Sequence, residues 1–239
     1  MPSPRVFPRP LVLGHRGAPR DAPENTLRAF SLALRHGADG VELDVQLTRD
    51  GVPVVLHDAT LQRTTDGHGE VAALGWAELA RLRAGGEPVP SLEQIAVWAA
   101  ASRAWVDVEL KNPRATEAAL RVLEKAGVLT RVVLSSFHPE ALAAAGRLQP
   151  QVRRFYLTER WDLAAQDALA RCGAGGVCLQ DAAATPAALR EAAAVGLPVI
   201  VWTVDDAARV RELLRAGVAA VITNLPARAV TVRRELGLE

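Results

Sequence analysis

Along the chain, short runs of β-branched and apolar residues alternate with longer stretches where Ala, Leu and Arg recur at three- and four-residue intervals. The short runs predict strands at 11–15 (LVLGH), 40–47 (GVELDVQL), 104–110 (AWVDVEL), 131–136 (RVVLSS), 152–157 (VRRFYL), 176–179 (GVCL), 198–203 (PVIVWT) and 219–222 (AAVI). The longer stretches predict helices near 25–36, 91–101, 115–125, 139–147, 162–171, 186–194, 206–215 and 226–235. Eight strands, each followed by a helix, is the count of a closed (β/α)₈ TIM barrel. An open doubly wound sheet would carry a Gly-rich phosphate loop after its first strand, and this chain has none there.

One segment breaks the alternation. In TRDGVPVVLHD, Asp50-Gly51 between extended residues predicts a two-residue hairpin that pairs Arg49 with Val52 and sets His57 opposite Asp44. The tract 58–90, with its DGHG and AGGE turns, then reads as a small insertion after the second strand, above a single barrel domain spanning 1–239.

Composition narrows the class. An apolar content of 49% can fill a barrel core, and a net charge of +1 speaks against a nucleic-acid partner. No apolar run is long enough to span a bilayer, and the opening MPSPRVFPRP lacks the apolar stretch of a secretory signal. Cys172 and Cys178 have no metal-ligand spacing and read as buried free thiols in a reducing compartment, so a cytoplasmic protein is expected.

The strand VDVELKN places Asp107, Glu109 and Lys111 on one face and Val106, Val108 and Leu110 on the other. Alternating charge usually marks a solvated face, but a barrel strand under helices has none except at its ends. Glu42 and Asp44 likewise share a face of the second strand, and the first strand ends in His15-Arg16-Gly17. Barrel sites lie at the C-terminal ends of the strands. Three carboxylates there, Glu42, Asp44 and Glu109, would repel unless a cation sat between them, and an all-oxygen set suits Mg²⁺ or Ca²⁺. His36, His68 and His138 read as helix-end, loop and helix-start residues. Pro23 to Thr26 reads as a turn with a helix cap at Asn25 or Thr26, scaffold rather than chemistry.

These motifs are recognisable. GHRGAPRDAPENTLRAF, GADGVELDVQLTRDGVPVVLHDATLQRTTDGHG, VPSLEQIAVWA, VDVELK, SSFHPEAL, VIVWTVDD and VITNLP occur in order, and the chain resembles the glycerophosphodiester phosphodiesterase family from end to end. Val218-Ala219-Ala220 departs from the Val-Asp-Gly common in that family and costs a polar group near a barrel end. The resemblance implies a TIM barrel that hydrolyses glycerophosphodiesters to glycerol 3-phosphate and an alcohol with one divalent metal ion. It implies His15 and His57 as the acid/base pair, Glu42, Asp44 and Glu109 as metal ligands, and Arg16 and Lys111 as phosphate contacts. The substrate's own glycerol hydroxyl would be the nucleophile, through a cyclic phosphate that water then opens.

Physical chemistry agrees. A reacting phosphodiester gains charge at its oxygens, which a metal, the planar fork of Arg16 and the point charge of Lys111 stabilise. Lys111 is one of only two lysines beside 26 arginines, and a compact ammonium fits beside Glu109 where a guanidinium would be too large. Phe137 and Trp202, at strand ends, could wall the substrate pocket or simply pack the core. Two alternatives compete: a lysophospholipase D-like enzyme, with Leu74, Trp76, Leu79 and Leu82 either as an acyl platform or equally as the insertion's own small core, and a silent phosphate-binding barrel. Head group, physiological metal and oligomeric state are not written in the sequence.

Overall fold

The computed structural model describes residues 6–239; the opening through Arg5, part of the stretch weighed as a signal, lies outside them. The first half contains β1 (Leu11–Gly14), α1 (Leu27–Arg35), β2 (Gly40–Leu47), β3 (Pro53–Val55), the one-turn α2 (Trp76–Leu79), β4 (Arg83–Ala84), β5 (Glu87–Pro88), α3 (Leu92–Ser102) and β6 (Trp105–Leu110). Five helix–strand steps complete it: α4 (Thr116–Lys125) and β7 (Val132–Ser136); α5 (Pro139–Leu148) and β8 (Arg153–Thr158); α6 (Leu163–Cys172) and β9 (Gly176–Gln180); α7 (Pro186–Ala194) and β10 (Val199–Trp202); α8 (Ala207–Arg215) and β11 (Ala220–Thr223). Helix α9 (Pro226–Glu235) follows.

Strand β1 pairs in parallel with both β2 and β11, and β11, β10, β9, β8, β7, β6 and β2 run in order between them, so the sheet closes. The result is the expected eight-stranded barrel. Period two sorts the side chains. Val41, Leu43, Val45, Val106, Val108 and Leu110 pack outward with helix residues such as Phe30, Ile95 and Leu120. The opposite set, including Leu11, Leu13, Val133, Phe155, Cys178, Ile200 and Ile222, fills the interior. Phe7 joins that interior cluster, stacked 6.3 Å from Phe155 and edge-on to Trp105 at 5.0 Å. The Phe155 ring occupies space that a side chain on its neighbour Gly176 would need: a Cβ there would stand 2.3 Å from the ring.

Helix starts follow capping chemistry. Thr26 accepts from the Ala29 N–H and opens α1 at Leu27, later than the periodicity suggests, because Asn25 before it is left-handed at φ 59°. Ser91 and Gln94 form a reciprocal capping box on α3.

The hairpin register differs from expectation by one residue. Val45 pairs with Val55, and Leu56 N–H donates to Asp44, so Asp44 faces Leu56 rather than His57. The loop has three residues, not two: Gly51 sits at φ 80°, its N–H donates to Thr48 O, and Thr48 N–H donates to Val52 O. Thr48 is the physical reason. Its hydroxyl accepts from Val52 N–H and reaches Asp50, locking the bulged turn.

In 58–90, Leu61, Val71, Leu79 and Ala84 are buried with Val54 and Leu56, and Leu74, Trp76 and Leu82 pack against them. The apolar residues weighed as a platform are therefore the segment's own core. Val218-Ala219-Ala220 falls at the start of β11, at the barrel end opposite the mouth. Both cysteines are free and buried. Among the described residues no helix is long and apolar enough to cross a membrane.

Candidate active site

Register brings the carboxylates together. Glu42 pairs with Asp107 and Asp44 with Glu109 across β2 and β6, all facing the interior. One oxygen from each of Glu42, Asp44 and Glu109 lies within 4.8 Å of the others, and all three residues are buried. Burial first, then the charges of Asp44 and Glu109, holds the Glu42 carboxyl well above its usual range. Burial and Asp44 push Glu109 up to about 7. Burial also opposes ionisation of Asp44, but Lys111 and Arg16 outweigh it and hold that carboxyl below its ordinary value. Such a cluster of hard oxygens, crowded and dry, fits a divalent cation.

Lys111 continues β6 inward. Its ammonium lies 2.7 Å from Glu109 Oε1 and 3.1 Å from Asp44 Oδ1. Arg16 approaches from the β1–α1 loop in a left-handed conformation at φ 51°, an unusual state for a non-glycine residue and one that clusters at functional sites. Its N–H donates to Glu42 Oε2 at 2.9 Å, and its Nε lies 3.3 Å from Asp44 Oδ2. Asn25, from the same loop, donates to Asp44 Oδ2 at 2.8 Å. The PENT segment therefore reaches the site as well as starting the helix.

The two histidines flank the carboxylates with different partners. His15 Nδ1 lies 2.8 Å from Asn224 Oδ1 and its Nε2 lies 4.0 Å from Glu42. Burial and the neighbouring Arg16 lower the His15 pKa against the support of Asn224. His57 lies close enough to Asp44 to help depress that carboxyl, its backbone carbonyl accepts from Gln46, and its Nδ1 lies 2.6 Å from Asp58 Oδ1. Phe137 and Trp202 meet edge to face at 5.8 Å, joining the ends of β7 and β10 across the mouth. All nine expected residues thus stand at the mouth.

The sequence family model for the glycerophosphoryl diester phosphodiesterase family matches residues 15–228. The chain belongs to that family. A glycerophosphodiester phosphodiesterase of Caldanaerobacter subterraneus subsp. tengcongensis is 31% identical over 245 residues, covering 95% of this chain and 99% of that protein. Glycerophosphodiester phosphodiesterase from Agrobacterium tumefaciens superposes with a TM-score of 0.81 at 31% identity, covering 93% of this chain and 99% of the other. A phosphodiesterase of Oleispira antarctica, solved in complex with the product sn-glycerol 3-phosphate, gives a TM-score of 0.87 at 28% identity over 95% and 97% of the two chains. The chain is accordingly a phosphodiester hydrolase of glycerophosphodiesters.

Proposed function

We propose that His15 is the general base and His57 the general acid of the first step, over a divalent cation held by Glu42, Asp44 and Glu109. The supporting observation is the unequal partnering of the two rings. Asn224 Nδ2 donates to Asp205 Oδ2 at 2.9 Å, and a carboxylate only accepts, so Asn224 turns its carbonyl oxygen to His15. His15 Nδ1 must then carry the hydrogen, which leaves Nε2 as a free lone pair. His57 instead donates Nδ1–H to the Asp58 carboxylate, which holds the ring through Nδ1 and leaves Nε2 to exchange the proton.

His15 Nε2 takes the proton of the glycerol hydroxyl, whose oxygen attacks phosphorus. The bond from phosphorus to the alcohol breaks, and His57 Nε2 protonates the departing oxygen. In the second step His57 deprotonates water, the water oxygen attacks phosphorus, the ring bond from phosphorus to the glycerol oxygen that attacked first breaks, and His15 returns its proton to that oxygen. Arg16 grips phosphate oxygens as a fork and Lys111 as a point charge, and Phe137 and Trp202 wall the pocket. The cation, when bound, supplies Lewis-acid charge beside the phosphate. Mg²⁺ and Ca²⁺ both suit the all-oxygen donors.

The same reading makes the chain one barrel domain with the insertion as its outwork, acting on what remains of phospholipids after both acyl chains are removed. Two buried free thiols support a cytoplasmic location. Packing of Leu74, Trp76, Leu79 and Leu82 into the insertion's core favours this substrate over a lysophospholipid. Chelation with EDTA should abolish release of glycerol 3-phosphate from glycerophosphocholine and lower Tm. Added Mg²⁺ or Ca²⁺ should restore both, whereas full activity of metal-free protein would remove the three carboxylates from the ligand role.

A further inference from the structure

The insertion sends one long side chain back to the mouth. Arg63 Nε and Nη2 donate to the two oxygens of Asp58, the second at 3.1 Å, while Nη1 and Nη2 donate to Glu24 Oε2 and Oε1 at 3.1 and 2.8 Å. Each carboxylate has a second client. Asp58 Oδ1 holds His57, and Glu24 Oε1 accepts from Arg16 Nη1 at 2.9 Å. One planar guanidinium thus spans a continuous chain, His57–Asp58–Arg63–Glu24–Arg16.

The backbone beneath it is fixed. Leu61 is fully buried in the insertion core and its N–H donates to Gly69 O, while Thr65 donates through both N–H and hydroxyl to Leu61 O. The Arg63 side chain itself is 47% exposed. Ion pairs that exposed stabilise a fold little. What distinguishes this one is geometry: a bidentate network whose two ends are both site residues.

We propose that Arg63 is a positioning residue that sets His57 and Arg16 together, so that proton transfer and phosphate binding depend on one guanidinium supplied by the insertion. Only an arginine has the fork to do so; lysine brings the charge but not the span. The direction of the electrostatics agrees, since hydrogen bonds from Arg63 are foremost in holding the Asp58 carboxyl down at about 2. The inference rests on the roles assigned above to His57 and Arg16.

The test is steady-state kinetics on glycerophosphocholine at saturating Mg²⁺, with folding checked by thermal melt. Arg63→Met should lower kcat about 10–100-fold, as loss of a supporting partner typically does, and also raise KM. Arg63→Lys should stay nearer to Met than to wild type. The arms should separate: Asp58→Asn loses kcat with KM kept, and Glu24→Gln raises KM with kcat kept. Adding Arg63→Met to Asp58→Asn should cost no further kcat, because the shared arm is already cut. Wild-type constants for Arg63→Met, full rescue by lysine, or independent multiplication of the two losses would each overturn the proposal. His57→Ala and Arg16→Met serve as controls. If these are fully active, the underlying assignment fails; if they are dead while Arg63→Met is unaffected, only the role of Arg63 fails.

Discussion

The barrel interior has two unlike halves built on one alternation. On β2 and β6 the inward set includes Glu42, Asp44, Asp107, Glu109 and, just beyond the strand, Lys111, with Trp105 as its apolar member at the far end; on β8 to β11 it includes Phe155, Leu157, Cys178, Ile200 and Ile222. The apolar half fills its space, with Gly176 yielding room to the Phe155 ring. The charged half holds groups that resist being dry. Asp107, with Ser135 donating to it, is pushed up to about 7 by burial. A barrel can carry so much unfavourable charge on one side because the other side and the helices supply the cohesion. Stability and chemistry are thereby divided between sectors of one sheet.

Mutations in the two halves should fail differently. The largest effect is expected for His15→Ala and His57→Ala, each losing about 10²–10⁴ in kcat, as removal of an acid or base typically does. Their Tm values should stay near wild type, because both rings are partly exposed; near-wild-type kcat in either variant would demote that residue to scaffold. Phe155→Ala should do the reverse. It should cost about 3–5 kcal/mol of stability in denaturant titration, yet retain kcat well below its melting point. Lost kcat in a folded Phe155→Ala protein would erase the contrast.

The smallest effect is a pH dependence. Asp58 is depressed to about 2, so its contribution to stability is complete above its unfolded pKa, near ~3.9, and fades as pH falls through the folded value. Asp58→Asn should therefore lose less Tm than wild type on acidification from pH ~5 to ~2. Identical slopes would show that the Arg63 contacts exert no net pull on that carboxyl.

Much of this division could be read from the sequence, since period two carries each inward set to the mouth: Leu11 and Leu13 lead to His15, and Ile200 leads to Trp202. The same count on Ala220 and Ile222 leads to Asn224, so this partner was within reach and missed. Other features have no local signal. The hairpin slip depends on a Thr48 hydroxyl winning over the simpler Asp-Gly turn. Asn25 reaches Asp44 only because its backbone is left-handed, and Arg63 meets Glu24 across 39 positions of chain. Pattern gives faces of elements; it does not give how irregular segments fold back.

The bond between His15 and Asn224 joins residues 209 positions apart. During synthesis, then, the first strand and its histidine leave the ribosome long before their partners. Until β11 is made, β1 has an unpaired edge facing the gap and His15 has no side chain to fix which ring nitrogen holds its proton. The strand that closes the barrel, β11, leads directly into the partner of His15. An unfinished chain already contains Glu42, Asp44, His57 and Glu109 but lacks Asn224, the partner of His15 Nδ1.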